Sequence, residues 1–383
     1  YTGKPKIPGY KKTDESTAWF SKQVAKLKEE DGKSYLQFVN QKERFYIGKA
    51  SAYKGLQYVK TEIKPIYGRY CLLVTFDDKA KAVKPPENPE RILGLDPGIN
   101  NFLGVANNFG AVPFVIKGGA IKSVNQRFNK QRAKLLSFLT KGSDNKHSVK
   151  HSEQLNTLSR KREFFMSDYF YKCVWYICRY ARAAGVEVIV IGHNEGQKQE
   201  IALGDKNNQH FVTIPYLKFI AILKAVAAKC RIAVVVREES YTSKASLMDM
   251  DDIPTYKQDD NTEYHFSGKR IHRGLYRSSN GTVMNADING AANILRKEYP
   301  HAFDNVKDFT YLYETTLAIG YKDLYGNAKD MSGRPKRYRY HKAGFGSKVC
   351  HEYRKQNRMR YRKLFGKSKF VWIPGKAQAE QAA

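Results

Sequence analysis

Three acidic positions carry the strongest chemical signal in this chain. Asp96 lies in Arg91-Ile-Leu-Gly-Leu-Asp-Pro-Gly-Ile-Asn-Asn101, Glu239 in Arg237-Glu-Glu-Ser-Tyr-Thr-Ser-Lys244, and Asp287 in Asn285-Ala-Asp-Ile-Asn-Gly-Ala-Ala-Asn-Ile294. Each stands at the end of an apolar run or inside one, where an ionised carboxylate is costly unless something compensates its charge. Hard oxygen donors of this kind suit Mg²⁺, with Mn²⁺ as a substitute. Two such ions roughly 4 Å apart activate a water and stabilise the leaving oxyanion in phosphodiester hydrolysis. In that chemistry Asp96 bridges both ions while Glu239 and Asp287 each hold one, with Glu238 as the alternative to Glu239. Acids gathered in this way repel one another without metal, which raises their pKa values. Each residue also has an ordinary alternative: a turn former for Asp96, a helix N-terminal residue for Asp287 and a surface loop acid for Glu239.

The rest of the chain is basic, with 67 Lys and Arg against 37 Asp and Glu, a formal charge of +30. Such an excess draws polyanions, and phosphate contacts supply most sequence-independent affinity for nucleic acid. Candidate contacts are Arg127, Lys130, Arg132, Lys134, Arg160, Lys161 and Arg162 in a helical stretch, Lys198 beyond Gly192, and Lys269 with Arg270. From Met331 to Ala383 there are 15 Lys or Arg against Glu352 and Glu380 alone, interleaved with aromatics such as Tyr353, Phe365 and Trp372. That mixture suits phosphate contact combined with base stacking.

These residues need elements to hold them. A chain of 383 residues that is 42% hydrophobic and 13% aromatic is expected to fold as two or three domains. Residues 1–90 alternate apolar and polar positions, as in Lys33–Val39 and Tyr67–Phe76, which predicts a small β domain, and the Pro85-Pro-Glu-Asn-Pro89 stretch marks a linker. Arg91–Leu95 and Phe102–Ala106 read as two strands of a hairpin around the Pro-Gly turn. Residues 123–184 turn helical, interrupted at 141–150. Val186–Ile191 and Ile232–Val236 read as buried strands, Ile214–Lys229 as a helix, and Ala286–Lys297 as a helix capped near Asn285. The five cysteines are scattered with no CxxC pair, so neither a disulfide framework nor a zinc site is signalled, and Cys173 and Cys178 read as core. No apolar run approaches the roughly 18 residues needed to span a bilayer, so no membrane partner is expected. No signal peptide opens the sequence, which begins at Tyr1.

Four motifs in order resemble the TnpB family of transposon-encoded RNA-guided nucleases and their eukaryotic relatives, the Fanzor proteins. They are Gly94-Leu-Asp-Pro-Gly98, Glu239-Ser-Tyr-Thr-Ser-Lys244, Gly268-Lys-Arg-Ile-His-Arg-Gly-Leu-Tyr276 and Asn285-Ala-Asp-Ile-Asn-Gly-Ala-Ala-Asn-Ile-Leu-Arg-Lys297. The resemblance implies an α/β chain. Residues 91–298 would be a RuvC-like nuclease domain of the RNase H fold, containing the basic helical segment 123–184 and a 240–282 insert. Residues 1–90 would be a β-barrel-like wedge domain that grips guide RNA and the target-adjacent motif, and 299–383 a basic aromatic extension. It implies cleavage of double-stranded DNA matched by a transposon-encoded omega RNA, with Asp96 and Asp287 as the first and last catalytic acids. Base pairing would read the target while the protein reads duplex shape. The alternative within the same family is a nuclease-inactive, RNA-guided DNA-binding repressor. A monomer bound to RNA is expected, located in the nucleus for a Fanzor or in the cytoplasm and nucleoid for a bacterial TnpB.

Two departures from the family pattern bear on the site. Gly192 stands directly after the strand where the family usually places its catalytic Glu, so Glu239 on the next strand is the expected replacement, with Glu238 and Glu195 as alternatives. The insert Ser246–Thr282 has none of the family's zinc-binding cysteines, so no zinc is expected and packing or nucleic acid must hold it.

Overall fold

The computed structural model describes residues 16–78, 83–141, 152–194, 214–256 and 262–325. The chain divides into two compact units, one of Tyr1–Lys81 with Phe128–Phe164, the other of Ala82–Arg127 with Phe165–Ala383.

The first unit contains β1 (Ala18–Ser21), β2 (Ala25–Glu30), β3 (Lys33–Phe38), β4 (Arg44–Lys49), β5 (Gln57–Ile66) and β6 (Arg69–Asp77). The β2–β3 and β5–β6 hairpins turn through Asp31-Gly32 and Tyr67-Gly68, each with two consecutive positive φ angles (49° and 69°, then 50° and 69°). Such turns match the natural twist of paired strands. The strands form two three-stranded antiparallel sheets, β1-β5-β6 and β2-β3-β4. The small β domain read from the sequence is present, and among the described residues no ladder joins its two sheets, where the resemblance implied a barrel-like wedge. The register shifts inside β3–β4 and β5–β6 bend each sheet on its own.

The second unit is built on β7 (Ile92–Pro97), β8 (Asn101–Asn107), β9 (Phe114–Lys117), β10 (Val188–Gly192) and β11 (Ala233–Arg237). A small antiparallel sheet follows, of β12 (Lys269–His272), β13 (Leu275–Arg277) and β14 (Val283–Asn285). With β15 (Leu317–Ile319) the main sheet runs β11-β10-β7-β8-β9-β15. β7, β8 and β9 are an antiparallel meander, while β10 lies parallel to β7 and β11 parallel to β10.

Among the described residues there are five α-helices: α1 (Gly119–Leu139), α2 (Glu153–Ala183), α3 (Tyr216–Lys229), α4 (Ala286–Glu298) and the single turn α5 (Thr310–Tyr313). The parallel strands are apolar up to their carboxyl ends, where Asp96 and Arg237 stand, because both their faces are covered. Leu93, Leu95, Ile189 and Ile191 face α2 and α3, whereas Ile92, Val188 and Val190 face α4. Phe102 on β8 anchors the first layer, its ring centroid 5.4 Å from Tyr169, 5.5 Å from Phe170 and 5.0 Å from Phe219. Cys173 and Cys178 are buried in that layer, as their apolar neighbours predicted.

The sheet does not end where the sequence closed the nuclease domain, at residue 298. Beyond it β15 pairs parallel to β9, and Phe303 and Leu312 are buried on the α4 side. A three-residue strand is too short to show a period, and the last of the family-like motifs ends at Lys297, which is why the sequence alone groups 299–325 with the basic extension. The basic aromatic stretch from residue 331 onward and the Lys198 region lie outside the described residues.

Candidate active site

Asp96, Gly192 and Glu239 meet where the parallel strands deliver their carboxyl ends. Asp96 is the penultimate residue of β7, Gly192 the last of β10, and Glu239 lies two residues beyond β11. Ile191 pairs with Leu95, so the next step of the ladder sets Gly192 level with Asp96. Crevices at the carboxyl ends of parallel strands are where open α/β sheets place their ligands.

α4 brings the third acid, and three glycines let it approach. A Cβ on Gly94 of β7 would lie 2.0 Å from the Ala291 carbonyl oxygen, and one on Gly104 of β8 would lie 2.4 Å from that of Asp287. Gly290, inside α4, weakens the helix by roughly 0.5–1 kcal/mol relative to Ala. Its missing Cβ would stand 2.5 Å from Asp96 Oδ2, so the helix yields that space to the carboxylate. The Asn285 side chain caps the helix, accepting from the backbone N–H groups of Asp287 at 2.9 Å and Ile288 at 3.3 Å. The expected cap and helix are thus both present, and the Asp287 carboxylate is turned to β8, where Asn101 Nδ2 donates to its Oδ2.

The space that a side chain would fill at Gly192 belongs to Glu239. A Cβ there would lie 2.6 Å from Glu239 Oε2 and 2.6 Å from Ile294 Cδ1. Glu239 therefore reaches back from β11 to the end of β10. Its loop is fixed by Asn194, whose Oδ1 accepts from Glu239 N at 2.8 Å, and by Thr242, whose hydroxyl donates to the Glu239 carbonyl at 2.8 Å. Glu238 points elsewhere, accepting hydrogen bonds from Lys297 Nζ and from Ser240 N. Burial pushes the Glu238 carboxyl up, but those hydrogen bonds outweigh it and hold it below its usual value.

The three acids feel one another. Asp96 is held well above the usual carboxylate range, first by burial of its carboxyl, then by the negative charges of Glu239 and Asp287, with the Arg270 guanidinium opposing. The Tyr216 phenol, donating to the Gly98 carbonyl at 2.7 Å, is likewise pushed up by burial and by Glu239 and Asp96. Among the described residues no three His, Cys, Asp or Glu side chains stand close enough to share an ion as placed. What would fit a hard divalent cation is the donor chemistry: carboxylate oxygens from three separate segments, with like-charge repulsion that a cation would relieve.

Behind Glu239, α4 pins the segment after β11. Asn289 Nδ2 donates to the Ala245 carbonyl at 2.8 Å, and Asn293 Nδ2 to the Thr242 and Ala245 carbonyls at 2.9 and 2.7 Å. Lys297, its side chain almost fully buried, binds Glu238 together with the Ser240 and Pro254 carbonyls. The cysteine-free insert is held by two aspartates. Asp249 accepts from Ser246 Oγ at 2.5 Å and from Ser279 N at 3.0 Å, while Asp251 accepts from Ser246 N at 2.8 Å and from Ser267 Oγ at 2.6 Å. Asn101, Lys117, Tyr216 and Asn194 were not singled out as site residues from the sequence. Asn101 closes the motif around Asp96, but Lys117 and Tyr216 carry no sequence signal at all.

The expected nucleic-acid contacts divide into two kinds. Arg127, Lys130, Arg132 and Lys134 are exposed on α1, Lys161 on α2, and Lys269 and Arg270 on β12. Arg160 instead donates to the Tyr67 carbonyl at 3.1 Å, and Arg162 stacks over the Phe128 ring at 5.0 Å, so both help hold the first unit.

Residues 59–197 match the model of the OrfB_IS605 family, described as a probable transposase. No curated protein matches the chain. Among solved structures it is similar to a Cas12f1–sgRNA–target DNA complex at 14% identity and a TM-score of 0.36, over 75% of this chain and 68% of that one. It is also similar to a CRISPR-Cas12f ternary complex at 16% identity and a TM-score of 0.38, over 68% of this chain and 51% of that one. No helix among the described residues is long and apolar enough to cross a membrane.

Proposed function

We propose that this chain, whose residues 59–197 match the OrfB_IS605 family model, is an RNA-guided DNA endonuclease of the TnpB kind with a RuvC-like site. The observation that carries the reading is the return of the Glu239 carboxylate into the space over Gly192, level with Asp96. A carboxylate that leaves one strand and reappears at the same place from the next keeps the acid where the chemistry needs it. A meander of three strands followed by two parallel ones, with acids at the carboxyl ends and on a later helix, supports the RNase H assignment. The two-sheet first unit would be the wedge that holds omega RNA and the target-adjacent motif.

In this reading Asp96, Glu239 and Asp287 would hold Mg²⁺, with Mn²⁺ able to replace it. Two such ions, when bound, would supply an activated water and a counter-charge for the leaving oxygen. The protein does the rest. Gly94, Gly104 and Gly290 allow α4 close enough for Asp287 to face Asp96. Asn194 and Thr242 fix the Glu239 loop. Arg270, whose charge reaches Asp96, would meet the scissile phosphate, and the exposed bases of α1 would follow the backbone of the guide or heteroduplex.

The test is expression of the full chain with its flanking transposon DNA, sequencing of the bound RNA, and challenge with matched duplex and Mg²⁺. Guide-dependent cutting that disappears in Asp96→Ala and in Glu239→Ala, but survives in Glu238→Gln, is the expected result. Specific RNA and matched-DNA binding without cutting by the wild-type protein would make it the repressor. Cutting that persists in Glu239→Ala would remove Glu239 from the site.

A further inference from the structure

We propose that Asn101 and Lys117 form a two-residue relay that orients Asp287 for cation binding; this rests on the metal-dependent nuclease reading above. Asn101 opens β8 and Lys117 closes β9, and the two are register partners across that ladder. Lys117 Nζ donates to Asn101 Oδ1 at 3.0 Å, and Asn101 Nδ2 donates to Asp287 Oδ2. The order of these bonds fixes the amide. Rotated by half a turn, it would set its NH₂ against the ammonium and its oxygen against the carboxylate, both repulsive. The lysine therefore selects the polarity of an amide that a lone asparagine could present either way.

The turn holding Asn101 is itself fixed. Gly118 N donates to the Asn100 carbonyl at 2.8 Å, and Lys122 Nζ donates to Asn100 Oδ1 at 2.8 Å. A Cβ on Gly118 would lie 2.3 Å from the Ile99 carbonyl oxygen, so the end of β9 packs directly against the Asp96 turn. Asp287 does not need its carboxylate to cap α4, since Asn285 does that. With Oδ2 engaged by Asn101, Oδ1 would be the readier oxygen for a cation, and the carboxylate is held in one orientation. Partners that orient a ligand in this way commonly contribute 10–100-fold to metal affinity. Asn101 and Lys117 are positioning residues, acting through Asp287.

The relay is tested by Mn²⁺ binding to the full chain without substrate, followed by electron paramagnetic resonance. Lys117→Met, at an exposed position, and Asn101→Ala should each weaken Mn²⁺ binding on the order of tenfold. Lys117→Arg should restore it to within about twofold, since the cation is retained. The double variant should be no weaker than Asn101→Ala alone, because without the amide the lysine's remaining influence on Asp287 is its positive charge, which opposes a cation. Full Mn²⁺ affinity in Lys117→Met or in Asn101→Ala overturns the relay. So does a further loss when Lys117→Met is added to Asn101→Ala, which would show that the lysine supports the site by a route other than the amide. Wild-type binding that is abolished by Asp96→Ala but unchanged in the relay variants overturns the relay and leaves the metal site standing. No Mn²⁺ binding by the wild type overturns both.

Discussion

Asp96 is a residue whose ionisation works against the fold that holds it. Its carboxyl is raised by burial and by Glu239 and Asp287. The protonated form therefore favours folding, fully so below the ordinary carboxylate value, and that contribution is lost as pH rises through the raised one. In chelator-treated protein, Asp96→Asn should melt at a higher temperature than wild type at neutral pH. The gap should close below the ordinary carboxylate range, and a gap independent of pH would refute the electrostatic cause. Gly192 makes a second case. Gly192→Glu should destabilise by about 1–3 kcal/mol through overpacking against Glu239 and Ile294. Adding Glu239→Gly should recover about 0.5–3 kcal/mol of coupling in denaturant titrations. It should also restore some cutting that Glu239→Gly alone lacks. Strict additivity of the two substitutions would show that they do not share the space.

At the scale of elements, α4 is both floor and clamp of the site. Its small residues admit the sheet, and its polar side, Asn289, Asn293 and Lys297, ties down the segment that carries Glu239. The Glu238–Lys297 pair belongs to this clamp. Removing one partner leaves the other in a site built for two charges. Because Glu238 is about a third exposed, the loss in Glu238→Gln should stay near 1–2 kcal/mol. The sign follows from the lowered carboxyl: its stabilisation is present above the ordinary carboxylate value and is lost as pH falls through the lowered one. The difference in melting temperature between Glu238→Gln and wild type should thus shrink in acid. A difference that grows on acidification would contradict the pairing.

At the scale of the whole molecule, charge decides the partner class. A chain at +30 is repelled by its own kind and drawn to polyanions. Affinity for a matched heteroduplex should fall steeply with salt. Replacing Arg127, Lys130, Arg132 and Lys134 together by Gln should flatten the log–log slope by up to about 4, near 0.9 for each phosphate no longer neutralised. An unchanged slope would show that this face of α1 is merely solvated.

The strands around Asp96, the strand before Glu239 and the capped helix of Asp287 were readable in the sequence, because apolar period and cap chemistry are local. The order of the four motifs pointed to the family. The sequence left Glu238 and Glu239 as neighbouring alternatives; their separation needed the fold, since successive residues leaving a strand point to opposite sides. One side of β11 offers Lys297 and the other the opening over Gly192. The Lys117–Asn101–Asp287 chain was invisible for the same reason, its members joining only when β8, β9 and α4 pack. The strand at 317–319 and the Asp249–Ser279 and Asp251–Ser267 bonds of the insert likewise depend on partners far along the chain. Local pattern thus determined which acids and elements exist, while tertiary packing decided which acid faces which, because hydrogen bonds and close backbone approach are set by distance in space.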